Sequence, residues 1–69
     1  MRIKIEGLDT VAYVDTQDIS AVSLDKEDDE FLWCIEVYLK SISGYLLFKW
    51  DDKAKALEIF EELGAYIRG

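Results

Sequence analysis

Asp25, Glu27, Asp29 and Glu36 fall at positions one, three, five and twelve of the pattern with which an oxygen-lined loop wraps a calcium ion. The pattern fails at position six, where the sharp turn requires glycine and the chain has Glu30. The second half of the same window is also the strongest strand pattern in the chain, so the window reads as an acidic segment and not as a metal site. Asp51 and Asp52 are adjacent carboxylates, but they stand where a helix begins and are explained as its N-cap and first-turn residues. Cys34 is the single thiol, and there is no histidine to activate it. One cysteine forms no internal disulfide, and a structural zinc site needs more Cys or His than the chain holds. The four glycines, Gly7, Gly44, Gly64 and Gly69, lie too far apart for a phosphate cradle. Without histidine, a general base has to be a perturbed carboxylate, Lys, Tyr or Cys. The expectation is a non-enzymatic protein with no catalytic residue, no cofactor and no metal.

The elements that position these groups follow from hydropathy. In Phe31 to Lys40, FLWCIEVYLK, residues Phe31, Trp33, Ile35, Val37 and Leu39 alternate with Leu32, Cys34, Glu36, Tyr38 and Lys40, the period of a half-buried strand. Ser41-Ile42-Ser43-Gly44 supplies turn chemistry before Tyr45 to Trp50, where Leu46, Phe48 and Trp50 oppose Tyr45, Leu47 and Lys49. These two segments predict a hairpin. Residues 2–8 form a short strand ended by Gly7 and the Asp9-Thr10 turn signal, and 10–14 a second one followed by a turn over Asp15 to Asp18. Residues 19–24 read as extended, either a separate strand or the second half of a bent one. Ala56, Leu57, Phe60, Leu63, Gly64 and Ile67 make the stripe of an amphipathic helix over about 52–67. Gly64 either ends that helix in a left-handed cap or stays inside it. The predicted fold is a single α+β domain: a small antiparallel sheet of three to four strands packed on one C-terminal helix.

The 69 residues allow one core, and a chain this short buries only about 60 % of its unfolded surface, so association is a natural source of added stability. A hydrophobic fraction of 51 % against 33 % charged is a globular balance and argues against disorder. Arg2 and Lys4 imitate the basic start of a signal peptide, but Glu6 and Asp9 interrupt it, and no apolar run approaches the ~20 residues of a membrane span. The expected location is cytoplasmic, with no membrane partner. One helix covers only one face of the sheet. The other would carry Leu32, Cys34, Tyr38, Tyr45 and Leu47, diluted by Glu36, Lys40 and Lys49. That face is either ordinary apolar surface or an oligomer interface, most simply of a homodimer.

Charge points the same way. Fifteen Asp and Glu against eight Lys and Arg give a net charge of −7, and the run Asp25 to Glu30 holds five carboxylates in six residues. On the helix, Lys53 and Lys55 stand near the N-terminus while Glu58, Glu61 and Glu62 fill the C-terminal half, the reverse of what the helix dipole favours. This surface repels nucleic acid, which excludes direct binding, and attracts proteins that bind it. The candidate partner surface is Asp25, Glu27, Asp28, Asp29, Glu30, Glu58, Glu61 and Glu62; a solvated exterior is the plainer alternative. In its whole profile, short, acidic, without histidine or proline, strands followed by one helix, the chain resembles the small inhibitor proteins encoded by phages and mobile elements, of which the anti-CRISPR proteins are the best-known group. The resemblance implies a protein that occludes the basic nucleic-acid-binding surface of a partner in the host cytoplasm. The second expectation is a structural or regulatory homodimerisation module that uses the helix-free sheet face.

Overall fold

The computed structural model of the protein describes residues 1–26 and 32–68. Among these residues five strands and one α-helix build an α+β fold in which a three-stranded antiparallel sheet and a separate two-stranded hairpin share one core with the helix.

The hairpin pairs β1 (Arg2–Glu6) with β2 (Val11–Asp15), from Arg2 opposite Asp15 to Glu6 opposite Val11. The Gly7 N–H donates to the Thr10 carbonyl at 2.8 Å and closes the turn between them. Alternation sends Ile3, Ile5, Ala12 and Val14 toward the core and leaves Val11 and Tyr13 exposed. The Asp15 carboxylate accepts the Gln17 N–H at 3.0 Å, and that cap sets a 3-10 turn over Thr16–Asp18. The turn separates β2 from β3 (Ile19–Lys26), which settles the open reading of 19–24: it is a separate strand, and it belongs to the other sheet.

That sheet is a meander in the order β3, β4 (Trp33–Leu39), β5 (Tyr45–Trp50). The expected hairpin is present, and its register sets Trp33 against Trp50, Ile35 against Phe48 and Val37 against Leu46 on one face. Gly44 carries the turn with φ of 122°, a conformation that residues with a Cβ rarely adopt. β4 is shorter than the predicted 31–40: Leu32 precedes it, Lys40 is already in the turn, and Phe31 lies outside the described residues. A bulge between Ile19 and Ala21 breaks the alternation of β3, and there the Ser20 hydroxyl donates to the Tyr38 carbonyl.

Helix α1 runs Lys53–Arg68. Asp52 caps it: its carboxylate accepts the Ala54 N–H at 2.9 Å and its carbonyl the Ala56 N–H at 3.0 Å. Gly64 lies inside the helix, which decides between the two readings left open for it. The helix rotates its apolar arc differently from the predicted stripe. Ala56 and Leu63 are fully buried, and Ile59, Phe60 and Tyr66 pack against them, whereas Leu57 and Ile67 are 38 % and 41 % exposed. Lys53 explains part of that rotation. Its ammonium sits 5.3 Å from the centroid of Trp33, whose ring also carries the Lys26 ammonium at 5.8 Å. A cation on an exposed aromatic face gains ~0.5–1 kcal/mol, enough to offset its poor place at the positive end of the helix dipole.

The helix lies chiefly over β3 and reaches β4 and β5 as well, while the hairpin tip meets the end of β5. There the Trp50 indole N–H donates to the Glu6 carbonyl at 3.1 Å and the Leu8 N–H to the Lys49 carbonyl at 2.9 Å. A Cβ on Gly7 would stand 3.1 Å from the Lys49 carbonyl oxygen, so only glycine lets the hairpin tip come this close.

Candidate functional site

Two sequence-derived surfaces and one that the sequence did not disclose are the places where this molecule could meet another. Of the acidic set, Glu58, Glu61 and Glu62 are exposed on α1, and none of them is ion-paired among the described residues. Asp25 is exposed near the end of β3, opposite Cys34 in the ladder, so its side chain issues from the helix-free face. It is not on the same face as the helix glutamates. Glu27, Asp28, Asp29 and Glu30 lie outside the described residues.

The helix-free face gathers Cys34, Tyr38, Tyr45 and Leu47 as expected, because Tyr38 pairs with Tyr45 and Glu36 with Leu47. Leu32 is half-buried and precedes the ladder. The two tyrosine rings stand 5.3 Å apart, centroid to centroid, and Tyr45 and Leu47 are exposed. Cys34 is only 6 % exposed and offers little surface for contact. At the centre of the face, the Glu36 carboxylate accepts hydrogen bonds from the Ser23 hydroxyl at 2.9 Å and the Tyr38 hydroxyl at 3.3 Å. This cluster organises the surface without activating it. Desolvation, with the Glu36 charge beside it, pushes the Tyr38 hydroxyl above its ordinary value, so it stays a hydrogen-bond donor and not a base. No group of Cys, Asp and Glu among the described residues is arranged to hold a metal ion.

The third surface follows from strand order, which hydropathy does not encode. β3 is an outer strand, and beside it a groove of about 400 Å³ opens between Ser20 to Val22 and the helix residues Phe60, Glu61, Gly64, Ile67 and Arg68. A second hollow of about 350 Å³ continues it past Ser20 and Ile67 toward Thr16, Gln17 and Tyr66. The signal that could have located it was Ile67, an apolar residue left over once Ala56 and Leu63 fill the core.

No described helix is long and apolar enough to cross a membrane. Compared with known proteins, the chain matches no family model, no curated protein and no solved structure.

Proposed function

We propose that the protein is a non-enzymatic interaction module whose acidic exterior competes with nucleic acid for the basic surface of a partner protein, in the manner of the small inhibitors that its overall profile resembles. The observation that carries this reading is the outer side of α1. Glu58, Glu61 and Glu62 are solvent-exposed and unpaired among the described residues, and they stand together in the middle turns of the helix. Glu58 and Glu62 also repel each other at a spacing of four, at a cost of a few tenths of a kcal/mol. A groove built to track phosphates meets here a field of the same sign as its natural ligand, and steering speeds the encounter while salt weakens it.

The test is affinity capture from host lysate at low and high salt, with wild type and the triple variant Glu58→Lys, Glu61→Lys, Glu62→Lys as bait. A nucleic-acid-binding protein retained only by wild type and released by salt supports the reading. Equal recovery by both baits, with a second variant reversed at Asp28, Asp29 and Glu30 behaving the same, refutes it. The alternative reading, a homodimerisation module built on the helix-free face, is favoured by exposed Tyr45 and Leu47; Leu47→Lys separates the two, since it abolishes self-association under that reading and leaves acidic capture intact.

A further inference from the structure

We propose that the open edge of β3 and the groove beside it form the seat of a second copy of this chain, joining two three-stranded sheets into one continuous sheet with the two helices side by side on its upper face. The proposal does not rest on the inhibitor reading, although it draws on Glu58 and Glu61 of the same helix, and it is tested with no partner present so that the two fail separately.

The two outer strands of the sheet are unequal. The far edge of β5 is met by the hairpin, through the Leu8 N–H on the Lys49 carbonyl. Among the described residues β3 has only β4 beside it, and the groove opens along its other side. Proteins guard such edges with charge, proline or a bulge. Here the bulge is confined to one end, between Ile19 and Ala21, and the charges to the other, at Asp25 and Lys26. The middle, Ala21 to Leu24, has neither charge nor proline.

Gly64 gives the second observation. A glycine inside a helix costs roughly 0.5–1 kcal/mol relative to alanine. Unlike Gly7, whose missing Cβ makes room for the backbone of β5, Gly64 is not required by the packing of this chain. A Cβ there would meet only the Arg68 guanidinium, at 3.2 Å, the movable end of a long side chain. Its vacancy opens on the groove.

Antiparallel pairing of β3 with itself requires a two-fold axis perpendicular to the sheet, which keeps both helices on one face. Each helix lies over its own β3 and β4, so the two axes stand between one and three strand spacings apart, about 5–14 Å, a span that contains ordinary helix packing. Helices ordinarily pack at 8–10 Å, and the closer part of that range demands a small residue at the crossing. Gly64 supplies it. Charge fits the same operator. The helix runs antiparallel to β3, since Lys53 lies over Trp33 near the end of β3 and Tyr66 and Ile67 lie beside Ile19. The two-fold therefore sets Arg68, folded back over Gly64, against Glu58 and Glu61 of the second copy, and buries the exposed Ile67 that borders the groove.

Sedimentation velocity over a concentration series tests this. Wild type is expected to associate reversibly to a dimer, because the hairpin tip stands against the far edge of β5 at Lys49. Gly64→Leu fills the groove and is expected to weaken the dimer about tenfold or more while its melt is unchanged or raised. As a check that does not depend on that variant, Arg68→Glu alone and the double variant Glu58→Arg, Glu61→Arg alone are each expected to be monomeric, and their mixture to dimerise. A wild type that stays monomeric at every concentration overturns the proposal and returns the groove to a heterologous extended segment. A dimer that survives Gly64→Leu and is broken by Leu47→Lys overturns it in favour of the helix-free face.

Discussion

Leu63 and Leu57 stand on the same helix with the same side chain and opposite surroundings, 1 % and 38 % exposed, so truncating each to alanine measures the rotation of α1 directly. At Leu63 the lost methyl groups leave a cavity enclosed by the sheet, and Leu→Ala at such sites costs about 2–5 kcal/mol. At Leu57 the surroundings are partly water, little cavity remains, and the cost falls to about 1 kcal/mol or less at ~0.8 kcal/mol per buried methylene. The gap is large against the whole stability of a 69-residue domain, ~3–10 kcal/mol at 0.05–0.15 kcal/mol per residue. Urea titrations followed by circular dichroism, with equal slopes required for comparison, give both differences. Leu63→Ala should lower the melting point by more than about 10 °C and Leu57→Ala by only a few degrees. Equal losses, or a larger loss at Leu57, would mean that the helix presents the arc of the sequence-derived stripe, and the groove beside β3 would not exist in the form described.

The glycines divide in the same manner: Gly7→Ala drives a Cβ against the Lys49 backbone and should cost about 1–3 kcal/mol in a melt, whereas Gly64→Ala should gain up to about 1 kcal/mol. Asp52→Ala removes the acceptor for the Ala54 N–H and should cost about 1 kcal/mol, while Asp52→Asn retains most of it. The Gln17 amide bound to Asp15 holds that carboxyl below its usual range, so its contribution is present above pH 3.8 and lost as pH falls through the lowered value; Asp15→Asn should flatten that part of the stability profile. Tyr38 should be among the last tyrosines to ionise in an ultraviolet titration. The folded state holds its proton more tightly, so stability should fall as pH rises above 10, and Tyr38→Phe should remove that slope.

Period alone disclosed the centre of the fold. Trp33, Ile35 and Val37 alternate without interruption, Leu46, Phe48 and Trp50 answer them, and the two strands pair as the spacing required. β3 was ambiguous for a local reason: the bulge at Ile19 and Ala21 shifts the register just where its alternation would be read. The rotation of α1 was illegible because Ala56, Leu57, Ile59, Phe60, Leu63, Tyr66 and Ile67 span too wide an arc, and only the sheet decides which of them it covers. The groove depends on β3 being outermost and on which side of the core the hairpin occupies. Both are set by contacts such as Trp50 on Glu6, between residues whose separation no pattern records. The glutamates of α1 were visible as charge, but that Asp25 leaves by the other face required the ladder.

The meander and the hairpin have a consequence in time. Among the described residues every strand pairing joins neighbours in sequence, β1 with β2, β3 with β4 and β4 with β5, with no crossover. Short loops close at little entropic cost, so each ladder can zip as soon as its two strands exist. What remains is non-local: the seating of α1 on β3, and the clasp of Trp50 on Glu6 across most of the chain. The order of assembly this dictates is ladders first and clasp last, and Trp50 sits at the junction where the last event occurs. In a Trp33→Phe background its emission is therefore a natural clock for the closing step, and a Gly7→Ala chain should complete its ladders at the normal rate and stall at the clasp.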